Sequence, residues 1–298
     1  MEYRVTAEEE GRRVRDILRR SMGVSYSAMK SAKWNNRLRL NGEPVFTDAR
    51  VRAGDTVRID WAEDEPVYRL REYRLDLDIP YIDDEMMAVD KPAPLASQSS
   101  RNHPDDSLEN AVYTYFGCPA DFVYRPVNRL DKGTSGLMLI ARTPHAQHRL
   151  QRELHTPDFR RRYLALTDGV PEKEKGAIDL PIGKAPGATV KRIITPDGKE
   201  SRTRYRVIRT DGERALVLLE LETGRTHQIR VHMAAIGCPV TGDFLYGTER
   251  PDAFPGRFAL HSAMVEVKHP ISGETIRLTS VPEWAGVVED SVLLMDLD

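Results

Sequence analysis

The chain has 298 residues, 40% of them hydrophobic and 30% charged, with a formal net charge of −2. This is ordinary composition for a soluble protein of one large domain or two unequal ones. No apolar run approaches the length of a membrane span, and Glu8, Glu9 and Glu10 close behind the N-terminus argue against a signal peptide.

The net charge hides an asymmetry. Residues 12–58 carry twelve Lys or Arg against four Asp or Glu, whereas residues 63–90 carry three against ten. A basic module followed by an acidic connector suits a nucleic-acid partner. The two cysteines, Cys118 and Cys238, lie far apart in sequence and are expected to be reduced thiols of a cytoplasmic protein. No grouping of Cys, His and carboxylates has metal-ligand spacing, so no metal is expected.

In chain order, residues 1–62 read as a small α/β unit. Val14, Ile17 and Leu18 recur at helical spacing before Gly23, and Ser25 is placed to cap a second helix through Ala28, Met29, Ala32 and Trp34. Leu38 to Leu40 is a strand entering a tight turn at Asn41-Gly42, and Val51 to Ile59 supplies further short strands. The basic residues, among them Arg12, Arg13, Lys30, Lys33 and Arg39, fall on the helices and the first strand edge. Residues 63–80, acidic and bounded by Pro66 and Pro80, read as a linker. From residue 81 to 298 the pattern is that of a sheet-rich α+β domain. Strands are expected at Met86–Lys91, Leu137–Ala141, Arg162–Thr167, Tyr205–Val207, Ala215–Leu221, Ala259–Val267 and Ile276–Thr279. Helices are expected behind Ser107, from Thr143-Pro144, and from Thr226 to Gly237.

Three places in the larger domain set a polar group into an apolar element. In the stretch 129–142, Asp131 lies between Arg129 and Lys132 and precedes a turn with Gly133 and Gly136. A nearby cation keeps a carboxylate ionised when it is partly desolvated, and such an aspartate at the lip of a sheet is a candidate nucleophile. The plainer alternative is a salt-bridged turn capping a core strand. Tyr163 sits in the middle of an alternating strand. Arg225 precedes a helix start, where backbone N–H groups and the guanidinium together suit phosphate. Arg230 follows apolar Ile229, so it can turn back into a cleft and pair with a carboxylate.

Two resemblances then join these readings. The helix opening Gly11-Arg12-Arg13-Val14, the pair Arg39-Leu40-Asn41-Gly42 and Ala53-Gly54-Asp55-Thr56-Val57 resemble the RNA-binding module named after ribosomal protein S four. The segments Arg129-Leu130-Asp131-Lys132, Arg162-Tyr163-Leu164-Ala165 and Gly224-Arg225-Thr226-His227-Gln228-Ile229-Arg230 are similar, in this order, to the three motifs of RluA-type RNA pseudouridine synthases. The tract Gly237 to Asp243, Leu260-His261 and His269-Pro270 also match that family.

The resemblance implies an α+β catalytic domain with a large mixed, mostly antiparallel sheet, flanking helices and a central cleft. It implies isomerisation of uridine to pseudouridine in structured RNA, with large-subunit ribosomal RNA the foremost target and tRNA the alternative, no cofactor, and a monomer. By the same resemblance Asp131 is the catalytic aspartate, Tyr163 stacks on the base and moves a proton, and Arg230 pairs with Asp131. Arg129 helps displace the base; Arg225 and Lys132, with the basic residues of the N-terminal module, hold RNA. The chain departs from the family at Asn128, where a histidine is usual, and in Lys91-Pro92-Ala93-Pro94-Leu95 and Gln98-Ser99-Ser100, which bear on the substrate-binding loop. The competing readings are an RNA-binding protein that keeps the scaffold without the chemistry and, more remotely, an aspartyl-phosphate site at Asp131-Lys132-Gly133-Thr134.

Overall fold

The computed structural model describes residues 1–24, 26–34, 36–60, 70–154, 156–188 and 190–297. Two compact units divide the chain, Met1–Arg69 and Leu70–Asp298. In the first, β1 (Glu2–Arg4), β2 (Leu38–Leu40), β3 (Glu43–Pro44) and β4 (Thr56–Ile59) form a four-stranded sheet in the order β1-β4-β2-β3. All its pairings are antiparallel. Asn41 and Gly42, the two residues joining β2 to β3, both have positive φ (51° and 90°), as a two-residue Asn-Gly hairpin turn requires. A short helix, α1 (Val14–Asp16), runs on as a π-helical turn over Ile17–Ser21, and α2 (Tyr26–Trp34) follows. Val14, Ile17, Leu18, Met29 and Ala32 close over the sheet residues Leu38, Val57 and Ile59. Ser25, expected to cap α2, lies outside the described residues. Val51 is buried and exchanges backbone hydrogen bonds with Gly11 and Arg12, but of the expected 51–59 segment only Thr56–Ile59 forms a strand of the sheet.

The second unit contains β5 (Asp78–Ile82), β6 (Met86–Lys91), β7 (Ser135–Ala141), β8 (Phe159–Asp168), β9 (Lys175–Asp179), β10 (Ile182–Lys184), β11 (Arg192–Ile194), β12 (Arg202–Thr210), β13 (Arg214–Leu221), β14 (Leu260–Lys268) and β15 (Thr275–Thr279). Its helices are α3 (Leu108–Tyr115), α4 (Pro144–Glu153), α5 (Gln228–Ala235) and α6 (Asp290–Leu293). Nine strands make one sheet in the order β5-β6-β7-β14-β8-β13-β12-β9, with β15 on β14, while β10 and β11 form a separate hairpin. Every pairing in the large sheet is antiparallel except β7 with β14.

That parallel contact is short. Only Ser135 and Gly136 meet His261 and Ser262 before β15 takes over this edge of β14. Helix α4 packs against both β7 and β14. Alternation then sorts the apolar side chains: Val89, Met138, Tyr163 and Val217 pack with Leu108 and Val112 of α3 and Ile229 and Met233 of α5. On the other side of β8, Leu164 joins Leu216, Leu218 and Leu293. The α+β class with a large, mostly antiparallel sheet is the expected one.

The stretch expected as a linker is only partly one. Residues 63–69 lie outside the described part, but Tyr73, Leu75, Leu77 and Ile79 pack on the main core and β5 begins at Asp78. The period-two alternation at 75, 77 and 79 is a strand signal that the surrounding acidic residues masked. Helix α5 also begins at Gln228, later than the expected Thr226, because His227 at its N-cap is held in the left-handed region (φ 59°).

Candidate active site

Asp131 sits in the loop that enters β7, and glycine fixes how that loop arrives. At Gly136 φ is +105°, and a Cβ there would lie 2.4 Å from the Ser262 carbonyl oxygen and 2.5 Å from its amide nitrogen. Only glycine allows β7 to press against β14 at this point. A Cβ at Gly133 would strike the Phe258 ring at 2.6 Å. The loop is clamped from its other side: the Leu95 amide donates to the Lys132 carbonyl (2.9 Å), and the Ser97 hydroxyl donates to the Leu130 carbonyl (2.6 Å). The unusual 91–95 segment therefore packs against the loop of Asp131.

Lys91, fully buried at the end of β6, organises that segment. Its Nζ donates to the carbonyls of Pro92 (3.0 Å) and Leu95 (2.8 Å). Burial pulls its pKa down to about 7, against the opposing pull of Asp131 and Asp90.

Arg230 projects from α5 into the same space. Its Nε donates to Asp243 Oδ2 (2.6 Å) and its Nη2 to Asp243 Oδ1 (2.8 Å), a bidentate pair buried on both sides. Its remaining arm, Nη1, donates to Asp131 Oδ2 at 3.1 Å. The guanidinium also lies 4.2 Å from the Phe258 ring centroid and 5.0 Å from that of Tyr246. Asp243 thus fixes the guanidinium plane, and Asp131 meets a cation that is already oriented. Both carboxylates push the Arg230 pKa up against the opposing effect of burial.

Tyr163, from β8, is only 4% exposed but borders the cleft beside Asp131. Burial raises its phenol pKa, while Arg161 and the Ser262 hydroxyl draw it down. The phenol is therefore protonated at neutral pH and presents an O–H. Arg161, two residues earlier on the same strand face, is 6% exposed. Its Nε has no hydrogen-bond partner.

A small pocket of about 70 Å³ lies against Asp131, Tyr163, His227 and Arg230, with Arg129 and Arg225 at its rim. It adjoins an open cleft of about 860 Å³ bordered by Ser97 to Ser100, Asn128 to Lys132, Gln147 and Gln151 of α4, Arg161 and Arg225. A pocket of base-scale dimensions opening on a long polar groove suits one nucleotide turned out of an extended chain.

The sequence-neighbouring cations of Asp131 do not pair with it. Lys132 Nζ lies 3.3 Å from His103 Nε2, and Arg129 is exposed at the rim. Adjacency in sequence does not aim side chains at one another; the cation comes from Arg230, 99 residues away in sequence. Arg225 is not at a helix start: its Nε donates to the Glu200 carbonyl (3.1 Å), and its amide donates to Gln228 Oε1. Asn128 Oδ1 accepts from the Leu139 amide (2.8 Å), while its Nδ2 is buried without a partner. In the N-terminal unit, Lys30 and Lys33 are exposed on α2 and Arg12 is exposed ahead of α1. Arg13 caps α1, and Arg39 is occupied by Asp60 at 3.5 Å and by the Asn36 carbonyl at 2.8 Å.

Asp243, His227, Tyr246, Lys91 and Arg161 were not singled out from sequence. Asp243 carried a usable signal, a carboxylate in the apolar tract Pro239-Val240-Thr241-Gly242, which has to find a cation if buried. Among the described residues no group of His, Cys, Asp and Glu is arranged to hold a metal ion.

A sheet forked at a glycine contact, with an aspartate, an arginine and a tyrosine facing one base-sized pocket, defines a class, and the comparisons name it. A sequence model of the RNA pseudouridylate synthase family matches residues 85–235, and the chain belongs to this family. It is an RNA pseudouridine synthase. It is 35% identical to the uncharacterized RNA pseudouridine synthase YjbO of Bacillus subtilis, over 86% of this chain and 90% of the relative. It is 34% identical to the ribosomal large subunit pseudouridine synthase D of Salmonella typhimurium, over 98% of this chain and 92% of that protein. Among solved structures, the human RNA pseudouridylate synthase domain containing 1 superposes with a TM-score of 0.59 at 25% identity, covering 73% of this chain and 86% of the human one.

Proposed function

We propose that this enzyme isomerises a uridine of large-subunit ribosomal RNA, with Asp131 as the nucleophile. The target rests on the similarity to the ribosomal large subunit pseudouridine synthase D, which extends over both units of the chain. The role of Asp131 rests on one observation. Its Oδ2 is tied to Arg230 Nη1, whereas Oδ1 has no hydrogen-bond partner among the described residues, in a side chain still 29% exposed to the cleft.

In this reading the target uridine leaves its stack and enters the small pocket. Oδ1 attacks C1′ of the ribose or C6 of the base, the bond from C1′ to N1 breaks, and the uracil turns; C5 then bonds to C1′, the bond to Oδ1 breaks, and the proton lost from C5 is balanced by one gained at N1. Arg230 holds the charge of Asp131 in a site that RNA binding empties of water. Tyr163, which borders the pocket, stacks on the base and moves its C5 proton. Arg129, Arg225 and Lys132 hold the phosphates along the cleft. The N-terminal unit, an S-four-like module, adds a second basic surface through Arg12, Lys30 and Lys33.

Carbodiimide-based mapping of pseudouridine in ribosomal RNA from cells with and without the gene tests this reading. One or more large-subunit sites are expected to vanish and to return with the wild-type gene but not with Asp131→Asn. Unchanged ribosomal RNA together with a lost site in tRNA would overturn the target and keep the class.

A further inference from the structure

His227 is one of the four residues between the two arginines of the third motif, and its backbone is unusual. It occupies the left-handed region at φ 59°, where a non-glycine residue is uncommon and asparagine is among those better tolerated. That conformation turns its imidazole toward Asp131: Nε2 lies 3.7 Å from Oδ2, the oxygen that Arg230 also holds, and the side chain is 7% exposed. The other ring nitrogen, Nδ1, lies 2.8 Å from the Tyr246 hydroxyl. That hydroxyl in turn accepts a hydrogen bond from the Arg192 amide (2.9 Å).

The donors and acceptors around the ring bear on which nitrogen carries the proton. The Arg192 amide takes one lone pair of the Tyr246 oxygen, and the acceptor within reach of the Tyr246 O–H is His227 Nδ1. If the hydroxyl donates, Nδ1 is bare and the proton of the neutral ring is on Nε2. The opposite tautomer would aim a lone pair at a carboxylate oxygen, so the two arguments agree. We propose that Tyr246 locks His227 in the Nε2–H tautomer, and that this N–H makes His227 a positioning residue for Asp131, holding Oδ2 so that Oδ1 is left to react.

The groups facing the imidazole are Asp131, Arg230, Arg192, Asp243 and Tyr246. Burial, with Arg230 and Arg192, pulls its pKa below the usual histidine range, against the opposing pull of Asp131 and Asp243. The ring is neutral at physiological pH, as the tautomer argument requires. The proposal rests on Asp131 being the reacting group, but the tautomer itself does not depend on that.

Two substitutions separate the proton from the backbone. Glutamine keeps a donor near the Nε2 position but fits φ 59° poorly; asparagine suits that backbone but its amide stops short of Asp131. If the N–H matters, His227→Gln retains more single-turnover activity than His227→Asn, by several-fold, the scale of an N–H dipole 3.7 Å from a carboxylate oxygen, short of a formed hydrogen bond. RNA affinity is expected to be equal in both. If His227→Asn is as active as His227→Gln or more so, the backbone conformation is what the position serves, and the proposal fails. A measurement on the wild-type protein needs no variant to fold: nitrogen NMR of ¹⁵N-histidine-labelled enzyme at neutral pH is expected to show a buried ring with Nδ1 bare and Nε2 protonated. Tyr246→Phe is expected to release that preference. An imidazolium, or an Nδ1–H ring at this position, overturns the assignment. Activity persisting in Asp131→Asn with the tautomer intact would instead overturn the role of Asp131 and leave the lock standing.

Discussion

Strand β8 carries three arginines in a row, and its two faces treat them oppositely: Arg160 and Arg162 both donate to Glu220 on the outer face, and Arg161 lies on the inner one. Arg162 is 1% exposed and makes three hydrogen bonds: Nε donates to Glu220 Oε2, and Nη1 donates to the carbonyls of Leu293 and Met295, each at 2.6 Å. Arg161 points into the cleft, where its Nε has no partner and Tyr163 is its neighbour. A buried polar group with every bond made holds a fold together. One left short of partners in a cleft is kept for a molecule that arrives later. The outer face of β8 ties down the C-terminal segment; the inner face is the reaction floor.

The largest expected effect lies on the inner face. Asp131→Asn keeps shape and removes the nucleophile, so isomerisation should vanish while RNA affinity stays within about tenfold. A clear residual rate in a clean preparation would take the chemistry away from this loop. Arg230→Met is a poorer probe, because it also strands Asp243, a fully buried carboxylate. Losing one partner of a buried pair costs about 3–5 kcal/mol, so loss of fold would mimic loss of chemistry.

Arg161 and Arg162 of β8 give the second test. Arg162→Met should lower stability by about 1–3 kcal/mol, because the carbonyls of Leu293 and Met295 lose their donor while Glu220 keeps Arg160 Nη2 at 3.2 Å. Arg161→Met takes a neighbour from the Tyr163 hydroxyl and the Phe159 ring but strands no buried charge, so it should cost about 1 kcal/mol or less, yet lower activity. Thermal unfolding and single-turnover rates of the two variants should therefore rank in opposite orders. Equal destabilisation would remove the contrast between the faces.

The contrast also explains what was legible in the sequence. Strands and helices set by alternation and capping were readable: the strand from Met86 that Pro92 stops is β6, and Ser107 and Thr143 do cap α3 and α4. The hairpin of β10 and β11 was not, since three-residue strands carry too little periodicity to register. Pairing across the cleft was readable where a motif limits the choice, as with Arg230 and Asp131. It failed where an equally plausible cation stood next door, as with Arg129 and Lys132. Asp243 and Tyr246 escaped because a partner 13 or 19 residues along a loop has no period to betray it.

Beneath the floor, His261 supplies a pH test. It bridges the Ser135 hydroxyl (2.8 Å) and the Ser280 hydroxyl (2.9 Å) at the junction of β7 and β14. Burial pulls its pKa down to about 4. The unfolded chain takes up this proton near pH 6.5 and the folded one only near 4, so stability is lost as pH falls through that window. The loss from this group approaches about 3 kcal/mol at the acid end. Denaturant titrations from pH 7 to 4 should show it, and His261→Gln should remove that part of the slope; an unchanged slope would mean that the ring is charged in the fold.

The smallest effect is expected at the rim. Arg225 is half-buried, with Nε spent on the Glu200 carbonyl, so its Nη atoms are what it offers to the groove. Arg225→Met removes one cation that screens a phosphate and leaves Asp131, Arg230 and His227 in place. RNA affinity should drop several-fold at moderate salt. The slope of log affinity against log salt should flatten by about 0.7, the share of one contact to a single strand. The single-turnover rate at saturating RNA should stay at the wild-type value, because nothing bonded to the reactive carboxylate has changed. If instead the rate falls and the salt slope does not, Arg225 serves the floor and not the rim, and its bond to Glu200 would be the support for the loop that presents His227.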